Sequence, residues 1–111
     1  VAAERVSLSS RHTLTFPELT IDGRSQQAFQ NGTALALTRI EFNMLLFLAS
    51  NPGVTLSKED LFSAVWGRDS ADTLKVVANT VSNLRRKMGG SQTYIRTVRG
   101  GYVFSAVSAT A

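Results

Sequence analysis

The fold of this 111-residue chain is decided by residues 73–104, TLKVVANTVSNLRRKMGGSQTYIRTVRGGYVF. The first half places apolar residues at steps of three and four, the spacing of one helix face, and predicts an α-helix from Thr73 to Met88. The apolar stripe comprises Leu74, Val77, Val81, Leu84 and Met88. At about 100° per residue the opposite face is polar. It comprises Lys75, Asn79, Ser82, Asn83 and Arg86.

The second half predicts a β-hairpin with a glycine tip. Residues 94–99 form the first strand, Gly100-Gly101 the tip and residues 102–104 the second strand. Arg96 and Arg99 lie on the first strand, and Arg99 adjoins the tip, so its side chain is expected to project beyond the domain. A basic hairpin after an amphipathic helix is typical of a winged helix. Charge that protects an edge strand from aggregation is the alternative explanation.

Positive charge is concentrated in this last third of the chain. Residues 1–72 contain six Lys or Arg and eight Asp or Glu, whereas residues 73–111 contain six Lys or Arg and no acid. Such a segment is typical of a surface that meets a polyanion. A solvated basic face is the alternative, since the cations 85–87 are favourable at a helix C-terminus. That alternative leaves the missing acids unexplained, because solvated helix faces usually mix both signs.

The outward groups of the predicted helix suit nucleic acid. Asn can form two hydrogen bonds with adenine, Arg can bond guanine, and Lys or Ser can hold phosphate oxygens. The sixteen residues 73–88 would span about 24 Å, long enough to lie in a major groove.

Short strands separated by turns are predicted over residues 13–37. Asp22-Gly23 and Asn31-Gly32 supply turns, the second suited to a type I′ hairpin, and Gln26–Phe29 is a weaker strand candidate. The alternating apolar residues are Leu14, Phe16, Leu19, Ile21, Leu35 and Leu37. Each strand is too short to stand without a helix behind it, so we expect a small antiparallel meander.

Two capping boxes mark the starts of two further helices. Thr38-x-x-Glu41 opens a helix that is apolar nearly all round and must be buried, and residues 51–53, Asn-Pro-Gly, end it. Ser57-x-x-Asp60 opens a second helix, which Gly67 ends. The apolar residues expected to staple its start and form its buried face are Leu56, Leu61, Phe62, Val65 and Trp66.

Little in the sequence supports catalysis. The chain has no cysteine and one histidine, His12, and its Gly-Gly pairs lack the spacing of a phosphate-binding loop. We therefore expect no enzyme, no cofactor and no metal site.

The longest apolar run, residues 44–49, is far shorter than the ~20 residues of a membrane helix, and no signal peptide is visible. We expect an intracellular fragment without a membrane segment.

A single domain is expected over residues 13–105. Residues 1–12 are small, polar and aperiodic and are interpreted as a linker or tail, and residues 106–111 as a flexible C-terminal tail. The chain begins with Val1, which processing or excision from a longer protein would explain.

Four ordered blocks resemble the signature of OmpR/PhoB-type response-regulator effector domains. Residues 37–42, with Leu45-Leu46 following, resemble its LTxxEFxLLxxL block, and residues 51–67 resemble NPGxxxSRExLxxxVWG. Residues 81–88 resemble ISRLRRKL, and residues 95–100 resemble IRTVRG. The resemblance covers roughly residues 13–105, nearly the whole folded part.

This resemblance implies an α+β winged helix-turn-helix with an N-terminal four-stranded antiparallel sheet, a three-helix core and a C-terminal β-hairpin wing. It implies sequence-specific binding of double-stranded DNA by the effector domain of a bacterial two-component-type transcription regulator, with the third helix in the major groove and the wing in the minor groove. It also implies a homodimer on tandem half-sites, a cytoplasmic location at the bacterial nucleoid, and an upstream receiver domain absent from this chain. Membrane-anchored activators carry the same domain.

The polar face of the predicted helix and the resemblance together give the expected site. The residues expected to bind DNA are Lys75, Asn79, Thr80, Ser82, Asn83, Arg85, Arg86, Thr97 and Arg99. The resemblance implies that the loop of residues 67–72 contacts RNA polymerase. Its polymerase-contact residues would be Arg68, Asp69 and Ser70.

Two departures from the family pattern concern this site. The family often has Asp and His where this chain has Ala78 and Thr80, so the Thr80 hydroxyl is the candidate for the phosphate contact of that His. The wing motif commonly reads RGxGY, and residues 99–102 are one residue shorter, which predicts a tighter tip. The alternative function is a winged helix used only for protein–protein contact, against which the six unopposed cations argue.

Overall fold

The computed structural model describes residues 13–16, 18–67, 73–88 and 94–105. The predicted tails and the predicted polymerase-contact residues Arg68, Asp69 and Ser70 lie outside the described residues. The elements are β1 (Thr13–Phe16), β2 (Leu19–Asp22), β3 (Gln27–Gln30), β4 (Thr33–Ala34), α1 (Arg39–Ser50), α2 (Lys58–Val65), α3 (Lys75–Lys87), β5 (Ile95–Val98) and β6 (Gly101–Phe104). The predicted order of sheet, three helices and hairpin, a winged helix-turn-helix, is confirmed.

Strands β1 to β4 form an antiparallel sheet in chain order. Asn31 and Gly32 have φ values of +53° and +81°, so the predicted positive-φ turn joins β3 to β4. The last strand is shorter than predicted, because Leu35 and Leu37 lie beyond its end at Ala34. The Leu35 N–H still donates to the Ala28 carbonyl of β3 at 2.9 Å, but the Leu37 N–H donates to the Leu35 carbonyl at 3.0 Å, so the backbone turns locally after Leu35 and the ladder ends there. Both leucines pack half-buried against the core.

Helix α1 is the centre of the core. The Thr38 hydroxyl accepts from the Glu41 N–H at 3.1 Å, and the Glu41 carboxylate accepts from the Thr38 N–H at 2.9 Å, which confirms the capping box. Apolar side chains of α1 are buried on several sides, as its nearly all-apolar sequence predicts. They are Phe42, Met44, Leu45, Leu46, Leu48 and Ala49.

Helix α2 begins at the second capping box, formed by Ser57 and Asp60, and is followed by Gly67 at φ +89°. Its predicted buried face is only partly buried, since Leu61 is enclosed whereas its other apolar residues pack at the edge of the core. The rings of Phe62 and Trp66 stack on each other with centroids 5.6 Å apart. Core packing, as predicted, accounts for the single tryptophan.

Helix α3 packs its apolar stripe inward, with one correction. Val77, Val81, Leu84 and Met88 are each at most 1% exposed. Leu74, the predicted first member, is 37% exposed, so the prediction was wrong there. Because α3 begins at Lys75 and not at Thr73, Leu74 occupies the N-cap, before the turns that pack on the core. None of the helices in the described ranges has the length and apolar character that a membrane crossing needs.

A partly buried ion pair joins the start of α1 to the end of α3. The Lys87 ammonium lies 2.7 Å from the Glu41 carboxylate and donates to the Ala36 carbonyl at 2.9 Å. Burial raises the pKa of the Glu41 carboxyl, but hydrogen bonds from Lys87 and from the Thr38 backbone outweigh burial and leave the pKa below its ordinary value. One carboxylate therefore caps α1 and holds the last turn of α3.

Replacing Glu41 by Gln should destabilise the fold in a pH-dependent way. The substitution keeps the side-chain shape but removes the charge opposite Lys87, and we expect a loss of about 1–3 kcal/mol in the free energy of unfolding at pH 7. Because the folded-state pKa of Glu41 is lowered, its contribution is full above the ordinary value of 4.5 and is lost as the pH falls through the lowered value. The difference in the free energy of unfolding between the wild type and Glu41→Gln should therefore narrow as the pH falls.

Urea unfolding measured from pH 7 down to pH 3 provides the test. Glu59→Gln is the matched control, because Glu59 is an exposed carboxylate in the first turn of α2. Equal stability changes for the two variants across the pH range would contradict the role given to Glu41.

Candidate nucleic-acid interface

The outer face of α3 presents polar side chains, as its sequence predicts. Because the apolar stripe is enclosed, the opposite residues have to point away from the core. Lys75, Asn79, Ser82 and Arg86 are exposed, and Asn83 is half-buried between them and the core. We call these five residues the α3 outer face. It carries two cations, two amides and a hydroxyl, and no acid.

Thr80 does not belong to that face. It is 8% exposed and is one of two polar residues buried among those described, the other being Glu41. Thr80 follows Val77 by three residues and precedes Val81 and Leu84, so it lies beside the apolar stripe. This placement argues against the predicted phosphate contact, because a phosphate oxygen needs access to the hydroxyl.

Arg85 connects α3 to the hairpin. Its guanidinium donates to the Ile95 carbonyl from Nε at 3.1 Å and from Nη2 at 2.9 Å, and to the Thr97 hydroxyl at 2.8 Å. It also lies 5.9 Å from the centre of the Tyr102 ring, within cation–π range. Two residues predicted to bind DNA, Arg85 and Thr97, are thus bonded to each other. Arg85 is a positioning residue here, whereas the Thr97 hydroxyl still has its own proton to donate.

The hairpin is also attached through its backbone. Leu56 and Tyr102 exchange two hydrogen bonds of 2.8 and 2.9 Å, and the Gly53 N–H donates to the Phe104 carbonyl at 2.9 Å. Strand β6 therefore lies between β5 and the segment before α2. Gly101 has φ +157° and approaches that segment so closely that a Cβ would overlap the backbone of Leu56.

The hairpin tip differs from the predicted one by one residue. Val98 pairs with Gly101, so the two tip residues are Arg99 and Gly100, and Gly101 belongs to β6. Gly100 has φ +94°, a conformation that a two-residue turn with glycine second requires. Arg99 is therefore within the turn and exposed. Arg96 points to the other face of the hairpin from Thr97, because successive strand residues alternate.

The predicted site residues thus separate into three groups. The α3 outer face and the exposed tip residue Arg99 are available to a partner. Arg85 and Thr97 join the helix to the hairpin, and Thr80 is buried. Sequence reasoning assigned Leu56 to the start of α2 and Gly101 to the tip, and it missed that the two residues dock the hairpin. The available sequence signal for this docking was the pair Gly100-Gly101. Two glycines are equally typical of an ordinary hairpin tip, so the pair did not reveal the docking.

The sequence is similar to those of known transcriptional regulatory proteins. Residues 32–104 match the family model described as transcriptional regulatory protein, C terminal. The chain is 43% identical over 89 residues to transcriptional regulatory protein VxrB of Vibrio cholerae, covering 79% of this chain and 36% of that protein. It is 39% identical over 98 residues to transcriptional regulatory protein PrrA of Mycobacterium tuberculosis, covering 86% and 42%. The chain spans about two-fifths of the length of these curated relatives.

Solved structures share the fold over most of both chains. The Klebsiella pneumoniae RstA DNA-binding domain, in complex with RstA box, has a TM-score of 0.76 at 32% identity and covers 85% of this chain and 97% of that one. The DNA-binding domain of CpxR from E. coli has a TM-score of 0.74 at 33% identity and covers 86% and 98%.

Removing the Arg85 guanidinium should loosen the hairpin and leave α3 in place. Arg85→Met keeps the apolar stem but removes three hydrogen bonds, so amide hydrogen exchange in residues 95–104 should speed up about ten-fold. Exchange in the buried turns of α3 should be unchanged. Arg96→Met is the matched control, since no hydrogen bond from Arg96 is found within the described residues. The same exchange rates in both variants would show that Arg85 does not position the hairpin.

Proposed function

This chain belongs to the family of C-terminal domains of transcriptional regulatory proteins, and from that premise we propose that it binds double-stranded DNA sequence-specifically. Helix α3 lies in the major groove and the hairpin tip lies at the minor groove. The role we assign is that of the effector domain of a bacterial two-component-type transcription regulator. The RstA and CpxR structures, which are DNA-binding domains of the same fold, support this assignment.

One observation carries the proposal: an exposed, acid-free polar face on α3 stands beside a hairpin whose tip carries Arg99. The thirteen residues of α3 extend about 20 Å, which fits along a major groove about 12 Å wide. Amides and Arg86 then face base edges, and Lys75, at the helix start, faces a phosphate. Arg85 fixes the direction of the hairpin relative to this face.

The alternative is a winged helix that contacts only other proteins. A protein-binding face gains little from a cluster of cations without acids, since the cores of protein interfaces are depleted in charged residues. Lys75, Arg86 and Arg99 remain exposed, and DNA binding can use all three, because phosphates are spaced along both strands. The charge distribution therefore favours DNA, and we assign binding to this chain rather than catalysis.

Several partners follow from the family resemblance and extend the proposal. We expect two copies on tandem half-sites, contact of residues 67–72 with RNA polymerase, and an upstream receiver domain in the parent protein. A protein that acts on chromosomal DNA would reside in the bacterial cytoplasm at the nucleoid.

Binding should weaken steeply with salt. If about 4–6 phosphates are neutralised per domain, log K should fall with log salt at a slope of about −4 to −5. Lys75→Ala should weaken binding to all sequences alike and reduce the slope by about one. Fluorescence anisotropy with labelled duplexes measures both quantities. Arg24→Ala, in the exposed turn after β2, controls for general loss of charge. A slope near zero for the wild type would refute DNA binding.

Arg99 should matter more beside A·T than beside G·C base pairs. A narrow, strongly negative minor groove attracts an inserted arginine, and A-tracts have such a groove. Arg99→Ala should therefore lose more affinity on sites flanked by A·T pairs, at an unchanged melting temperature. Arg96→Ala is the control, because Arg96 lies on the other face of the hairpin. Equal losses on the two flanks would mean that Arg99 touches only phosphate.

A further inference from the structure

Two residues of the α3 outer face are bonded to each other. Arg86 Nη2 donates to Asn83 Oδ1 at 2.6 Å, one helical turn apart. A guanidinium has only donors, so the amide atom that meets it has to be the oxygen. The amide of Asn83 is therefore held with its oxygen toward Arg86 and its NH₂ group turned away.

This bond changes which base Asn83 can read. A free asparagine pairs with adenine by donating to N7 and accepting from the N6 amino group. In Asn83 one lone pair of Oδ1 is used by the guanidinium. An adenine amino group that approached the other lone pair would place its N–H groups beside the positively charged N–H groups of Arg86, which disfavours adenine. What remains for a base is the Asn83 NH₂ group and the unused N–H groups of Arg86. The pair therefore presents mainly hydrogen-bond donors to a base.

Guanine complements such a surface best. In the major groove guanine offers two acceptors, N7 and O6, whereas adenine and cytosine each present an amino donor that would face other donors. We infer that Asn83 and Arg86 act as one unit that selects guanine over adenine at the base pair facing Asn83. The inference rests on the proposed DNA binding and specifies the sequence class that α3 accepts.

Asn79 provides a comparison on the same face. It is exposed, and its amide has no hydrogen bond within the described residues. It can therefore turn either way and keep the two-bond pairing with adenine. From the sequence alone Asn79 and Asn83 are equivalent. Their different hydrogen bonding leaves Asn79 suited to adenine and Asn83 suited to guanine.

Selection of bound sites from a random duplex library tests the inference with the 111-residue chain. Asn83→Ala identifies the base pair that Asn83 faces, because preference is lost there. At that position the wild type should enrich guanine over adenine about ten-fold. Arg86→Met releases the amide and should change the preference to adenine, whereas Arg86→Lys keeps a donor for Oδ1 and should retain guanine. The position that depends on Asn79 should be the same in all Arg86 variants.

Three results would overturn the inference: adenine preferred by the wild type at the Asn83 position, guanine retained there by Arg86→Met, or no position altered by Asn83→Ala. Each of these leaves DNA binding intact, because specific sites are still enriched. If the wild type enriches no sequence and binds no duplex, the proposed function itself fails. Thermal melting of each variant shows whether α3 remains folded, and a surface substitution of Arg86 should leave the melting temperature within a few degrees.

Discussion

The inward face of α3 determines what its outward face can do. Val77, Val81, Leu84 and Met88 are enclosed almost completely, and each such side chain stabilises the fold by about 1.5–3 kcal/mol relative to exposure. Rotating α3 about its axis would expose part of this stripe, so the helix has one orientation on α1. The ion pair of Lys87 holds the helix at its last turn. The side chains opposite the stripe are thereby presented in fixed directions, which sequence-specific contacts require.

The hairpin takes its orientation from the same helix. Arg85 lies on the flank of α3 and bonds the β5 backbone, while β6 pairs with Leu56 on its other side. The tip is thus held between two elements of the three-helix core and does not depend on its own short ladder. A partner that touches both α3 and Arg99 therefore meets two parts of one rigid surface. This coupling explains why a two-residue tip can serve as a second contact.

Much of this architecture could be predicted from local sequence, because local chemistry specifies it. The capping boxes at Thr38 and Ser57, the Asn31-Gly32 turn and the three-four spacing of α3 each act within a few residues. The wrong predictions concern residues whose placement does not follow from the local pattern alone. Leu74 loses its place in the stripe because α3 begins at Lys75, and Gly101 belongs to β6, where it pairs with Val98 and lies against the backbone of Leu56.

The residues of the candidate interface likewise divide into those that local sequence predicts and those that it does not. The polar side of α3 follows from helical geometry, so all five residues of the α3 outer face could be found from spacing. Two facts could not be found in this way: that Arg85 is occupied by the carbonyl of Ile95, ten residues further along the chain, and that the Asn83 amide points one way. Both depend on hydrogen-bond partners that residue type alone does not reveal. The sequence thus predicts which groups are present, and the contacts decide which of them are free.

The central claim is that α3 and the hairpin tip form one DNA-facing surface. Its most direct test is the NMR amide spectrum of the ¹⁵N-labelled chain during titration with a short duplex at low salt. The account predicts that shifts concentrate in residues 75–86 and at residues 97–100, with strands β1 to β4 nearly unchanged. Shifts centred on the four-stranded sheet, with α3 and the tip unaffected, would contradict it.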